Sequence, residues 1–540
     1  MFCMSRDQLS RAGRNGLRNG LVRSGLRNGL VRSGLRNGLV LTGVAALLSA
    51  SAGCSSVVAG KAVLAEPQVG QPVSWGPCRP AGGGGGEALT FPAGAQCGEI
   101  AVPVSYDDPG GDTATLTLIR FPATGEKIGS LIINPGGPGE SGVEAATGIV
   151  ESLAPQVRER FDLVGFDPRG VGGSSPALWC NSDADNDRLR ADPMVDYSPE
   201  GVARIEGITK EFIQRCVDKM GPDFLANVGT ANVARDLDVL RAAVGDDKLN
   251  YLGYSYGTRI GAAYAEAYPE KVRAMILDGA VDPNADPIQA DIDQAEAFQK
   301  AFNDYAADCA TDIGCPLGGD PAKAVDVYRD LVDPLVDMPL PTRDPRGLSY
   351  GDAIVGTIMA LYSPNLWRHL TSGLTEMTKG RGDTMLALAD MYMRRDAQGR
   401  YTNATDARVS INCVDQPAIT DRAKVVEEDR RLREVAPFMS YGEFTGSAPL
   451  STCAFWPVPP TSTPHAVSAP GLPPVMVISS TGDPATPYQA GVDLAEQLGG
   501  SLVTFNGTQH TVVFQGEQCV DDYAAAYLID LTLPPAGTTC

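Results

Sequence analysis

The sequence predicts an α/β fold: a mostly parallel central sheet, interrupted in its second half by a large, mainly helical insertion. Three observations carry that prediction. Short continuous apolar runs recur, each ending at glycine or aspartate; stretches of helical spacing alternate with them; and one long segment, 284–465, breaks the alternation. Strands that are apolar throughout are buried on both faces, as in parallel sheets covered by helices. A chain of 540 residues has room for such a core and an inserted domain.

Taken in order, residues 1–53 read as a signal peptide. GLRNGLVRS at 16–24 and 25–33, continued as GLRNGLV at 34–40, forms an arginine-rich amino end. LVLTGVAALLSASAGC (39–54) follows with a short apolar run and small residues before a cysteine. The run is too short for an ordinary membrane span. Ser51-Ala52-Gly53-Cys54 is similar to a bacterial lipobox, with serine where leucine is usual. Cys54 is therefore the expected lipidation site, with plain secretion as the alternative, and the expected location is the cell envelope.

Residues 54–96 form a Gly/Pro-rich collar or linker that includes GGGGG at 82–86. The first part of the core, 97–283, opens with IAVPVSY (100–106) and ATLTLIRF (114–121), which alternate as a half-buried hairpin around DDPGGD. Continuous strands follow: SLIINPGG (130–137), FDLVGFDPRG (161–170), LNYLGYS (249–255) and RAMILDG (273–279). Helical spacing appears in NVARDLDVLRAAVG (232–245) and TRIGAAYAEAYPE (258–270). The segment 284–465 reads as a helical lid inserted between two strands. The last part of the core, 466–540, supplies PVMVISSTGD (474–483) and SLVTFNGTQH (501–510). Ligands of such sheets sit at the carboxyl ends of the strands, where all the motifs below fall.

The formal charge is −21, and residues 1–53 carry eight arginines against one aspartate, so the remainder is more acidic still. Such a surface repels nucleic acid and anionic lipid and attracts cations, including free amino termini. Peptide or protein substrates are the expected partners, nucleic acid is not, and membrane contact is expected only through a lipid on Cys54. Twelve cysteines suit an exported protein. Without Cys3 and Cys54 ten remain, and spacing does not determine their connectivity. Nearest-neighbour pairing is the working expectation: Cys78–Cys97, Cys180–Cys216, Cys309–Cys315, Cys413–Cys453 and Cys519–Cys540. With no C-x-x-C and three histidines, zinc spacing is missing, and neither metal nor organic cofactor is expected. The RGD at 381–383 reads as a chance tripeptide in an inter-helix turn.

Gly253-Tyr254-Ser255-Tyr256-Gly257 follows a strand and precedes a helix, the setting in which G-x-S-x-G forms a nucleophile elbow. A serine hydroxyl needs a base to take its proton. His369 falls on a lid helix and His465 in a proline-rich hinge, which leaves His510, after the last strand. Asp483, at the end of the preceding strand, is the favoured acid; Asp278, in MILDGAVDP, is its competitor. The order Ser, Asp, His is that of α/β-hydrolases. For the oxyanion hole, NPGGPG (134–139) offers the amide of Gly137, with Gly136 also possible, and the elbow offers that of Tyr256.

NPGGPGESG, FDPRGVGGSSP, GYSYGT, LDGAVDP and STGDPATP together resemble the tripeptidyl-aminopeptidase-like proteases of actinobacteria, exported α/β-hydrolases related to prolyl iminopeptidases. The likeness spans about residue 70 to 540 and includes CGEIAVPVSYDDP and INCVDQP. It implies an α/β-hydrolase fold and the triad Ser255, Asp483 and His510. It also implies cleavage of peptides from a free amino terminus, with a lid limiting access. Glu140 and Asp415 are then candidates to hold the substrate's ammonium group. A carboxylesterase or lipase is the alternative activity, although the charged run EEDRRLRE (427–434) suits a lipid-binding lid poorly. A non-catalytic envelope-binding protein is a third reading.

Overall fold

The computed structural model describes residues 70–78 and 90–540. The expected signal peptide, Cys54 and most of the expected collar lie outside them. Nine strands form one sheet: β1 Gly76–Pro77, β2 Gln96–Pro103, β3 Thr113–Phe121, β4 Gly129–Asn134, β5 Phe161–Phe166, β6 Leu249–Tyr254, β7 Val272–Asp278, β8 Met476–Ser480 and β9 Ser501–Phe505. Their order is β1-β2-β3-β5-β4-β6-β7-β8-β9. The pairs from β5 through β9 are parallel; β1, β2 and β3 add an antiparallel edge. Every strand expected from the apolar runs is present. The additional β1 draws a stretch within the collar into the sheet, next to the Cys78–Cys97 bridge.

The central strands are buried along their whole length, so their two sides feed different cores. In β4, Ile132 joins Leu237, Ile260 and Tyr264 on one face, while Leu131 and Ile133 join Ala146, Ile149 and Tyr527 on the other. This is the period-two alternation of a strand, here apolar in both directions. Between β7 and β8 the chain is mainly helical and builds a third core around Phe302, Tyr305, Tyr328 and Phe438. The rings of Phe302 and Phe438 stack at 4.9 Å. This insertion forms the lid.

One helix of the insertion, Ala404–Asp415, departs from the expectation. Ala407, Ile411 and Val414 join the core beneath the sheet, not that of the lid. Ion pairs fasten the rest: Arg395 to Asp187 at 2.9 Å and Arg190 to Asp352 at 2.7 Å. All five expected disulfides are formed. Among the described residues no helix is long and apolar enough to cross a membrane.

Candidate active site

Ser255 sits between the end of β6 and the helix Tyr256–Ala267, at φ 55° and ψ −126°. A non-glycine residue held there is strained, and only tight surroundings keep it so. A Cβ on Gly257 would lie 2.6 Å from the carbonyl oxygen of Asn134, which accounts for glycine at that place in the motif. The Ser255 amide donates to the Asp278 carbonyl at 2.9 Å, pinning the turn to the neighbouring strand.

His510 follows β9 and is 3% exposed; Asp483 follows β8 and is 2% exposed. Nδ1 of His510 lies 2.9 Å from both carboxylate oxygens of Asp483. Asp483 in turn accepts the amides of Ala485 and Thr486 at 2.9 Å and the Thr486 hydroxyl at 3.0 Å. With Nδ1 turned to a carboxylate, Nε2 is the imidazole nitrogen left for a substrate or nucleophile. The competing acid, Asp278, does not bond the ring; its Oδ2 accepts the amides of Val512 and Val513.

The loop after β4 packs directly on the elbow. A Cβ on Gly136 would lie 2.8 Å from the Tyr256 nitrogen and 2.9 Å from the Ser255 Cβ. The Gly136 amide donates to Asn134 Oδ1 at 2.9 Å, so it is already committed. Gly137, by contrast, is exposed, and its amide has no acceptor among the described residues. The Tyr256 amide opens a helix and has no acceptor within it. Gly137 and Tyr256 therefore present free donors beside Ser255, and Gly136 does not.

The two ammonium candidates are corrected by the structure. Asp415 is 1% exposed and accepts the Thr230 amide at 2.7 Å and the Tyr256 hydroxyl at 3.3 Å. It lies at the end of the helix that packs into the core, out of a substrate's reach. Glu140 pairs with Arg394 at 2.6 Å, so its charge is already neutralised. The other histidines lie elsewhere: His465 pairs with Glu266 at 3.0 Å, and His369 is half-buried on the helix Trp367–Met377. In the RGD tripeptide Arg381 pairs with Asp383, which also accepts the Arg343 amide, so the motif is bound up internally. Among the described residues no group of three His, Cys, Asp or Glu could hold a metal ion.

The family model described as alpha/beta hydrolase fold matches residues 129–517. The chain belongs to the α/β-hydrolase family. The hydrolase is 70% identical to the serine protease Hip1 of Mycobacterium tuberculosis over 504 residues, 92% of this chain and 96% of that one. It is 52% identical to carboxylesterase B of the same organism, over 88% and 91% of the two chains. A tripeptidyl aminopeptidase of Streptomyces lividans is 32% identical, over 83% and 84%. The hydrolase is thus a Hip1-like serine hydrolase of actinobacterial type.

Sequence reasoning did not single out the lid residues that reach this site. On the lid helix Pro287–Cys309, the side chain of Gln294 donates to the Ala485 carbonyl at 2.6 Å. One turn on, Phe298 meets Tyr362 at 5.6 Å, and Tyr362 meets the His510 ring edge-on at 5.4 Å. The Tyr362 carbonyl accepts the His510 amide at 3.0 Å. The spacing 291, 294, 298 places Asp291 on the same helix face as Gln294 and Phe298. Asp291 is exposed, yet desolvation by the protein packed around its carboxyl raises it to about 6. Glu428 stands opposite on the helix Arg422–Val435. Burial first, then repulsion from Asp291 and Asp286, raises it to about 7. Neither has an ion-pair partner among the described residues.

Proposed function

We propose that this serine hydrolase is an aminopeptidase that releases short peptides from free amino termini. Ser255 attacks the scissile carbonyl while His510 takes its proton, and Asp483 holds the imidazole and stabilises its cation. The amides of Gly137 and Tyr256 receive the oxyanion, and the resulting acyl-enzyme on Ser255 is then hydrolysed by water. The observation that carries the peptidase reading is the pair Asp291 and Glu428. Two carboxyls without ion-pair partners on facing lid helices, with Asp291 helping to raise that of Glu428, suit an ammonium group. The names of two relatives, a serine protease and a tripeptidyl aminopeptidase, point the same way.

Carboxylesterase activity is the second reading, supported by the 52% identity to carboxylesterase B. The two are separated by comparing a fluorogenic tripeptide amide, its N-acetylated twin and a short-chain p-nitrophenyl ester, with Ser255→Ala as control. Cleavage of the free-amine peptide alone among the two peptides supports the aminopeptidase. Ester turnover with neither peptide cleaved supports the esterase. Export, with a lipid on Cys54, belongs to the same proposal and rests on residues 39–54; mass analysis of the mature amino terminus tests it.

A further inference from the structure

Asp278, which ends β7, and Gly279 after it touch all three loops of the site. The Asp278 carbonyl accepts the Ser255 amide at 2.9 Å. A Cβ on Gly279 would lie 3.1 Å from His510 Cε1, 3.1 Å from Thr486 Oγ1 and 2.9 Å from Thr511 Cγ2. The Asp278 side chain is wholly buried, and Oδ2 accepts the amides of Val512 at 2.7 Å and Val513 at 2.8 Å. Oδ1 has no hydrogen-bonding partner among the described residues. The bonded amides stand just past Thr511, which sits at φ 62°. A β-branched residue in that region is an outlier and persists only where its surroundings enforce it. Burying a carboxyl with one oxygen unsatisfied is itself unfavourable, so the group is expensive to keep for packing alone.

We propose that Asp278 is a positioning residue for the base: holding the amides of Val512 and Val513, it enforces the kink at Thr511 and sets the imidazole of His510. It acts through the loop backbone, and its charge bears on the imidazolium that forms during catalysis. This rests on the triad reading given above. Burial raises the carboxyl to about 7, partly offset by its two amide bonds; His510 favours its ionised form and Asp483 opposes it. At the far end of the same loop Asp521 accepts the Phe514 amide. The charged groups acting on Asp278 are His510 and Asp483, and those acting on Asp521 are Glu517 and Asp522.

The test compares Asp278→Ala, Asp278→Asn and Ser255→Ala in the full chain, on a short-chain p-nitrophenyl ester across roughly pH 5 to 9. The alanine variant is expected to lose about ten- to a hundredfold in kcat with KM little changed, the scale of a displaced catalytic group. Asparagine, whose amide oxygen can accept both bonds, recovers most of that loss. Its kcat profile loses the ionisation near pH 7 that the Asp278 carboxyl contributes, because asparagine does not titrate. Alanine and asparagine variants within about twofold of each other in kcat, or an asparagine profile that superimposes on wild type, overturns the proposal. Should the alanine variant not fold, the asparagine profile decides alone. Turnover by Ser255→Ala would instead sink the triad reading.

Discussion

Ser255→Ala should abolish hydrolysis of peptide and ester alike, and Asp483→Asn should lower kcat by about three to four orders of magnitude, the loss known when a triad acid becomes an amide. Steady-state kinetics on both substrate classes checks this. Asp291→Asn and Glu428→Gln should each raise KM for free-amine peptides by about tenfold, the scale of 1.4 kcal/mol, and leave N-acetylated esters unaffected. Because those carboxyls stand at about 6 and about 7, they ionise only as pH rises through that range. KM for a free-amine peptide should therefore climb as pH falls from 7 to 6. A flat KM across that window excludes them as the ammonium site. The pairing of His510 with Asp483 is legible in the sequence because histidines are rare and strand order is informative. Asp415 is misread because its partner, Thr230, lies 185 residues away. Asp291 and Glu428 are two acids among 65, distinguished only by the packing of two helices.

Strands are the elements that sequence shows best, since each apolar run ends at a glycine or aspartate that marks its exit from the sheet. β1, at two residues, is too short to leave any periodic signal. The helix Ala404–Asp415 has a clear apolar face, but such a face does not name the surface it covers. The lid holds the site through Gln294 and Tyr362 as well as covering it. Tyr362→Ala removes the ring beside the imidazole but keeps the backbone bond. It should lower kcat by about tenfold on a blocked ester while KM moves little, because imprecise placement of a base costs rate before binding. A loss confined to KM would show that Tyr362 contacts substrate only.

At the scale of the molecule, stability should fall as pH rises through about 6 to 7. Asp278 and Asp521 stand at about 7 and about 6 in the folded chain, above the usual carboxylate range, chiefly through burial. Between that range and pH 7 the folded state holds protons that the unfolded chain has released, so the slope of unfolding free energy with pH is negative. Tm measured at pH 6 should exceed that at pH 8. Removing Cys413–Cys453, whose partners are 40 positions apart, should cost about 4 kcal/mol on loop entropy, measurable by denaturant melts of the double serine variant. The expected pairing of all ten cysteines agrees with the fold because each pair closes a local excursion, the longest separation being 40 residues.

β7 and β8 lie side by side, with Asp278 opposite Ile478, so the excursion from 279 to 475 leaves and returns at adjacent points of the sheet. An insertion whose two ends meet behaves as a cassette that related enzymes can exchange without breaking strand order. Grafts cut at those two points should carry substrate preference with them. They must also bring the helix Ala404–Asp415, whose final aspartate plugs the recipient's core at Thr230. A chimera that exchanges the cassette but mismatches that plug trades specificity for solubility.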